Sequence, residues 1–243
     1  YKLETVRALA EDERGPTDDQ WREIADLGWP GVIVPEADGG LGLGAVELVV
    51  IQEEMGYALA PSPLLSSVSA ALLLVAAGTD EQRSRWLPGL SDGSLRGTIA
   101  VWDADAGWAP DHSEAEPAGG ALSAAKIAVP DAATADLLLL AGADGRHYAA
   151  ELKDASGVSI TPENSLDPTR RLYRVELDGV AVEPLAVEPE RIAHAYATIV
   201  TALAAENVGA AQRAMEMAVA YAGDRKQFDR PIGSFQAVAH RCA

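Results

Sequence analysis

Basic residues are scarce in this chain of 243 residues. Lysine and arginine together number 19, against 37 aspartates and glutamates, which gives a formal net charge of −18 at pH 7. A protein that binds a nucleic-acid backbone attracts its phosphates with positive charge. The deficit of positive charge therefore argues against nucleic acid as a partner.

Cysteine and long apolar runs are also nearly absent. Cys242 is the single cysteine, which excludes an internal disulfide framework and suits a reducing compartment. The apolar segment SSVSAALLLVAAG at 66–78 is shorter than the roughly 20 residues of a membrane span, and polar turns flank it. We expect a cytoplasmic protein without a membrane anchor, although the sequence does not begin with methionine and an upstream targeting segment stays open.

The signatures of several common enzyme classes are missing. There is no Gly-x-Ser-x-Gly elbow and no phosphate-binding Gly-Lys-Ser. The loop GLGLGA at 40–45 half matches a dinucleotide-binding pattern, but no second strand with an acidic end follows it, so we expect a tight turn there. The four histidines lack the spacing of a metal site. They are His112, His147, His194 and His240.

Hydrophobic periodicity divides the chain into three zones. Apolar residues recur every three or four positions from residue 2 to about 96, which predicts helices. From about 98 to 187 short alternating runs predict strands, most clearly LYRVELD at 172–178. Beyond Pro189 the helical period returns and continues to Tyr221, and a second helix is predicted from about Ser234. Because residues 237–243 resemble an uncapped, unfinished helix, we expect the native chain to be longer.

The segment YAGDRKQFDRPIGSFQAVAHR at 221–241 resembles the Arg-Lys-x-Phe-x-x-x-Ile-x-x-x-Gln signature that begins the C-terminal helical domain of acyl-CoA dehydrogenases. The stretch LGWPGVIVPEADGGLGLGAVELVVIQEEMG at 27–56 resembles the first helical domain of that family, and DPTRRL at 167–172 resembles its middle domain. The resemblance covers nearly the whole chain. It implies an α+β fold with an N-terminal helical domain (1–97), a middle β-barrel-like domain (98–188) and the start of a C-terminal helical domain (189–243).

In that family the signature segment clamps the pyrophosphate and adenine end of an FAD that belongs to the neighbouring subunit. The resemblance makes Arg225, Gln227, Phe228 and Gln236 the cofactor-binding candidates. Their chemistry suits the role, because a guanidinium pairs bidentately with phosphate oxygens and an aromatic face stacks on a flat heterocycle. The alternative is structural: Arg225 and Lys226 neutralise a helix C-terminus while Phe228 fills core space.

Two family motifs that hold the flavin ring are altered in this chain. Where relatives carry Leu-Thr-Glu-Pro-x-Ala-Gly-Ser-Asp, residues 101–109 are VWDADAGWA, so Trp102 and Trp108 replace two hydroxyl residues. In the strand Lys-x-Trp-Ile-Thr, the usual Trp and Thr are Ala128 and Pro130. Because indoles are bulky and Pro130 has no N–H, we expect a ring site that is blocked and short of donors. An alignment shifted by one residue, or a divergent flavin site, is the alternative.

The family's catalytic base is the third altered feature. These enzymes remove the α-proton of an acyl-CoA with a glutamate while the β-hydrogen leaves as hydride to flavin. One family position for this glutamate would lie beyond residue 243, and the other falls on Ile199, which cannot accept a proton. Glu206 is about 10 Å further along the helix at 1.5 Å per residue, beyond general-base reach. We therefore expect no catalytic residue within this chain.

Three hypotheses follow from the resemblance. The first is a subunit of a heteromeric, FAD-dependent acyl-CoA dehydrogenase. It would form an α2β2 heterotetramer with a second dehydrogenase-like subunit. The enzyme would act on an acyl-CoA with a bulky or steroid-like acyl group and pass electrons to an electron-transfer flavoprotein. The second is a homomeric enzyme with a divergent flavin pocket and its catalytic glutamate beyond residue 243. The third is a catalytically inactive scaffold, and analogy of fold does not decide among them.

Overall fold

The computed structural model describes residues 2–12, 17–104, 113 and 115–242. The first part of the chain forms five helices, which confirms the helical prediction for this zone. They are α1 (Leu3–Glu11), α2 (Asp18–Asp26), α3 (Ala45–Ala58), α4 (Leu64–Ala77) and α5 (Asp80–Asp92). Thr17 and Thr79 begin α2 and α5 with capping boxes, in which the threonine hydroxyl accepts a backbone N–H and a glutamine three residues later returns the bond.

Helix α4 is the centre of the helical core. Nearly all its residues are buried, and it packs against α5, β1 (Gly97–Ala100), β5 (Leu137–Ala141) and the long helix that follows the sheets. Its sequence, apolar except for three serines, is typical of a helix that is covered on most sides. No helix in the described ranges has the length and hydropathy of a membrane span.

The middle part of the chain forms two sheets. One has the order β1-β5-β6-β9, with β1 and β5 parallel and the other pairs antiparallel, and the other has the order β2-β4-β8-β7 with β3 paired to β4. The remaining strands are β2 (Trp102–Asp103), β3 (Pro117–Ala118), β4 (Ala121–Pro130), β6 (His147–Glu151), β7 (Val158–Glu163), β8 (Leu172–Ala181) and β9 (Glu183–Pro184). The predicted alternation on β8 is confirmed, since Tyr173, Val175 and Leu177 are buried.

A buried ion pair holds the end of β2 against β4. Lys126 Nζ lies 2.6 Å from Asp103 Oδ1, 2.9 Å from Ser113 Oγ and 3.0 Å from the Ala141 carbonyl oxygen. The lysine is fully buried, and three oxygen partners compensate the loss of water around its ammonium group. Because Asp103 follows Trp102 directly, this ion pair also fixes where Trp102 lies.

The last part of the chain consists of α6 (Pro189–Asp224), a short hairpin of β10 (Lys226–Gln227) and β11 (Arg230–Pro231), and α7 (Gln236–Cys242). Helix α6 packs on α3 and α4. Helix α7 begins two residues after the predicted start, because Ile232–Ser234 forms a 3-10 turn. The division into domains at 1–97, 98–188 and 189–243 stays a prediction.

Candidate functional site

A central cavity of about 340 Å³ lies between the helices and the five-stranded sheet. Helices α3, α4 and α6 supply most of its apolar wall, and its polar residues come from these helices, from the residue after β4 and from the segment before β8. Its apolar lining includes Met55, Leu59, Leu64, Leu65, Ile99, Val101, Ile199 and Leu203, and its polar lining includes Gln52, Ser66, Asp131, Arg170 and Glu206. The volume falls within the usual range of small-molecule sites.

The predicted ring-side positions lie at this cavity. Trp102, Ala128 and Pro130 all line it, whereas Trp108 lies outside the described residues. The backbone of this strand is already engaged: the Ala128 N–H donates to Glu163 Oε2 at 2.8 Å, and the Pro130 carbonyl accepts from Thr98 Oγ1 at 2.5 Å. Ala128 has a φ of 51° at an irregularity in the β4–β8 pairing. These positions therefore offer a flavin ring no side-chain donor besides the Trp102 indole.

The predicted base positions also line the cavity. Ile199 and Glu206 both lie on α6 and face this space. Glu206 Oε2 forms an ion pair with Arg170 at 2.5 Å, and both side chains are half-buried. This ion pair links α6 to the segment before β8, so Glu206 holds that segment in place.

Asp131 is an acid at the cavity that sequence reasoning missed. It follows Pro130 at the end of β4 with a φ of 53°, and its Oδ2 accepts a hydrogen bond from Ser66 Oγ at 2.6 Å. Burial raises the pKa of Asp131 to about 6, while the Ser66 bond and the nearby charge of Arg170 oppose this rise and Glu206 adds to it. The one sequence signal is an aspartate directly after the proline of a strand, where αL conformations favour Asp and Asn.

Asp131 should make the stability of the protein depend on pH. Since its folded pKa is raised from 3.8 to about 6, the folded state holds a proton that the unfolded state releases between these values. The free energy of unfolding should therefore fall by up to about 3 kcal/mol as pH rises from about 4 to 7. We expect Asp131→Asn, which accepts the same Ser66 bond, to remove this contribution in urea titrations at each pH. Identical pH profiles for the two proteins would contradict the assignment.

The four clamp candidates lie away from the cavity, on the hairpin and at the start of α7. Phe228 is at the hairpin turn with a positive φ and is 86% exposed, and its ring meets Phe235 edge to face at 6.1 Å. Gln236 begins α7 and contacts His240. Arg225 and Gln227 are exposed, and neither forms an ion pair or side-chain hydrogen bond within the part of the chain that the structure describes. None of the four lines the central cavity.

The structural alternative for this cluster fits these observations in part, because Arg225 is the C-cap residue of α6 and lies at the helix C-terminus, as that alternative expects. Phe228 fills no core space because most of its ring is exposed, although it does pack on Phe235. Arg230, not Arg225, stacks over the Phe235 ring at 4.1 Å. The hairpin therefore exposes the Phe228 ring and the Gln227 amide, and Arg225 directly before it exposes a guanidinium. Among the residues described, no group of histidine, cysteine or acidic side chains could hold a metal ion.

Comparison with known proteins identifies the family. Residues 2–94 match the model of the acyl-CoA dehydrogenase N-terminal domain, and residues 188–243 match that of the acyl-CoA dehydrogenase C-terminal domain. A solved structure described as the Tcur3481-Tcur3483 steroid ACAD G363A variant is 35% identical with a TM-score of 0.88, over 99% of this chain and 67% of that one. The chain belongs to the acyl-CoA dehydrogenase family. The predicted family and fold class are confirmed.

Comparison with other acyl-CoA dehydrogenases shows what fraction of their length this chain covers. Acyl-CoA dehydrogenase IpdE2 of Mycobacterium tuberculosis is 34% identical over 98% of this chain, and fadE12 of Mycobacterium bovis is 33% identical over 93%. The chain spans 64% of the length of each. The structure of an acyl-CoA dehydrogenase complexed with FAD from Bacillus anthracis is 25% identical with a TM-score of 0.84, over 99% of this chain and 45% of that one.

Proposed function

We propose that this chain is one subunit of a heteromeric, FAD-dependent acyl-CoA dehydrogenase that introduces an α,β double bond into an acyl-CoA thioester. In this role it contributes Arg225, Gln227, Phe228 and Gln236 to the adenine side of an FAD whose ring lies in the partner subunit. When bound, FAD supplies the hydride acceptor for this class of reaction. The matched family and the FAD complex of a relative support the choice of cofactor.

The observation that carries the proposal is an asymmetry between two parts of the same chain. Arg225 and the hairpin after it expose a guanidinium and an aromatic ring, and their chemistry suits contact with phosphate and adenine at the adenine end of FAD. At the central cavity, Ala128 and Pro130 supply no side-chain donor, and Glu163 already occupies the Ala128 N–H. The residues of this chain therefore do not fit the flavin ring, and Ile199 cannot act as a base.

The proposal extends to the partners of the assembly. A shared site needs both subunits at each interface, so we infer an α2β2 heterotetramer with a second dehydrogenase-like subunit. The partner would carry the ring site and the catalytic glutamate, and an electron-transfer flavoprotein would accept the electrons. The steroid ACAD relative favours a bulky, steroid-like acyl group as the substrate. We place the assembly in the cytoplasm.

Flavin stoichiometry tests this proposal directly. If only the partner's ring sites fill, the purified assembly should contain half as many FAD molecules as subunits, as measured by flavin absorbance against total protein. The isolated chain should be colourless and inactive, and mixing it with its partner should restore yellow colour and dehydrogenation together. One flavin per chain, or a yellow and active homomer, would favour the homomeric enzyme. An assembly that carries no flavin would favour the inactive scaffold.

A further inference from the structure

Arg230, on the second strand of the hairpin, packs on an aromatic ring and not on an acid. Its guanidinium carbon lies 4.1 Å from the centroid of the Phe235 ring. The residue is exposed, and it forms no ion pair or side-chain hydrogen bond within the part of the chain that the structure describes. A guanidinium that stacks by its face keeps the N–H donors at its edge available. Arg230 is therefore an oriented cation that can still bind an anion.

The register of the hairpin places Arg230 beside Arg225. Gln227 pairs directly with Arg230. The Ile232 N–H donates to the Arg225 carbonyl oxygen at 2.8 Å, which continues this ladder by two residues. Directly opposite residues of an antiparallel pair share one face, and so do residues two apart on a strand. Arg225, Gln227 and Arg230 therefore share one face of the hairpin. Lys226 lies on the opposite face.

The turn of the hairpin fixes this register at a cost in backbone energy. Phe228 and Asp229 form a two-residue turn with φ of 54° and 61°. A left-handed backbone is unfavourable for a bulky residue such as phenylalanine and costs about 1–2 kcal/mol. Two-residue turns of this kind match the twist of the strands and set which residues pair. Backbone strain of this kind concentrates at ligand-binding sites.

Two guanidinium groups on one face call for an anionic ligand with two charged groups. Arg225 and Arg230 are diagonal neighbours, and such residues lie about 7–8 Å apart. Their like charges repel, and neither has an acidic partner among the described residues. One guanidinium pairs bidentately with one phosphate group. The pair therefore fits two adjacent phosphate groups, and FAD carries such a pyrophosphate.

We propose that Arg230 is a second phosphate-binding residue of the FAD clamp and that Phe235 is its positioning residue. Arg230 contacts one phosphate group of the pyrophosphate while Arg225 contacts the other. The inference rests on the proposed function, because the hairpin has to reach an FAD of the partner subunit. It adds a residue to the clamp that the Arg-Lys-x-Phe-x-x-x-Ile signature leaves unspecified, since Arg230 occupies one of its variable positions.

Two charge-removing variants of the hairpin test this assignment in the assembly. Arg230→Gln and Lys226→Gln each remove one positive charge, from opposite faces of the hairpin. The affinity for FAD is measured by titrating each apo assembly with FAD and following flavin fluorescence. We expect Arg230→Gln to weaken FAD binding about tenfold, and Lys226→Gln to weaken it less than about twofold.

Three further variants separate phosphate binding from packing. Arg230→Met keeps a flexible side chain that packs on the Phe235 ring but loses the charge, so it should bind FAD as weakly as Arg230→Gln. Arg230→Lys keeps the charge without the planar fork of donors and should restore part of the affinity. Phe235→Leu keeps Arg230 but removes the ring that orients it, and we expect a loss of about threefold, since a stacked cation gains about 0.5–1 kcal/mol at an exposed site.

Two results would overturn the inference. Equal affinities of Arg230→Gln and Lys226→Gln would show that Arg230 acts only by general attraction or does not act at all. Full affinity of Arg230→Met would show that Arg230 serves packing and not phosphate binding. The Arg225→Ala variant judges the proposed function separately. If it loses FAD while Arg230→Gln retains it, only this inference fails, whereas retention of FAD by both variants would contradict the proposed function as well.

Discussion

Replacing Gly209 by alanine is expected to lower the free energy of unfolding by about 3 kcal/mol or more, although alanine usually stabilises a helix relative to glycine. Gly209 is buried where α6 crosses α3. A Cβ at this position would lie 1.9 Å from the carbonyl oxygen of Glu53 and 2.7 Å from the backbone nitrogen of Tyr57. Both are backbone atoms of a helix, so the two helices would have to separate.

A second glycine of the same helix provides the matched control. Gly223 is exposed near the end of α6, and a Cβ there meets nothing within 4 Å. Gly223→Ala should therefore raise the free energy of unfolding by about 0.5 kcal/mol through helix propensity alone. Urea denaturation followed by circular dichroism measures both variants. A Gly209→Ala protein as stable as Gly223→Ala would show that α3 and α6 do not pack this closely.

Replacing Arg225 by alanine is expected to weaken FAD binding by the assembly about ten- to a hundredfold. The guanidinium is exposed and forms no ion pair within the described ranges, so it is available for a charge-assisted contact with a phosphate, worth about 1.5 to 3 kcal/mol. The ratio of FAD to protein after gel filtration, and a titration of the apo assembly with FAD, measure the change. Folding should be unaffected, because among the described residues the Arg225 side chain forms no ion pair or hydrogen bond.

Two variants distinguish bidentate pairing of Arg225 with the FAD phosphates from general electrostatic attraction. Arg225→Lys keeps the charge but loses the planar fork of donors, so it should fall between the alanine variant and the unmodified protein. Lys226→Ala removes the neighbouring exposed cation, and we expect a smaller loss because a compact ammonium acts only as a point charge. Unchanged flavin retention in Arg225→Ala would show that the cluster is a structural turn and does not bind FAD.

The candidate site was predictable only in part. The clamp residues lie within 12 positions of each other, and a hairpin and one helical turn present them on the surface, so a local motif sufficed to select them. The cavity was reached through the altered family motifs at Trp102, Ala128 and Pro130 and through the base position at Ile199. The hydrogen bond of the Ala128 N–H could not be predicted from the sequence, because its acceptor Glu163 lies on β7, 35 residues further along the chain.

The sequence alone determined the order and type of the elements, since helical and strand periods and capping residues act within a few positions of the chain. It also selected the segment between the last two helices, with Arg225, as the candidate cofactor contact. Only the tertiary structure decided which polar groups are satisfied. Gln52 and Asp131 look ordinary in the sequence. Packing buries the Gln52 amide with no acceptor for its Nε2 among the described residues, and it raises the pKa of Asp131 to about 6. The physical reason is that burial and hydrogen-bond partners depend on residues far apart in the chain, such as Ser66 beside Asp131.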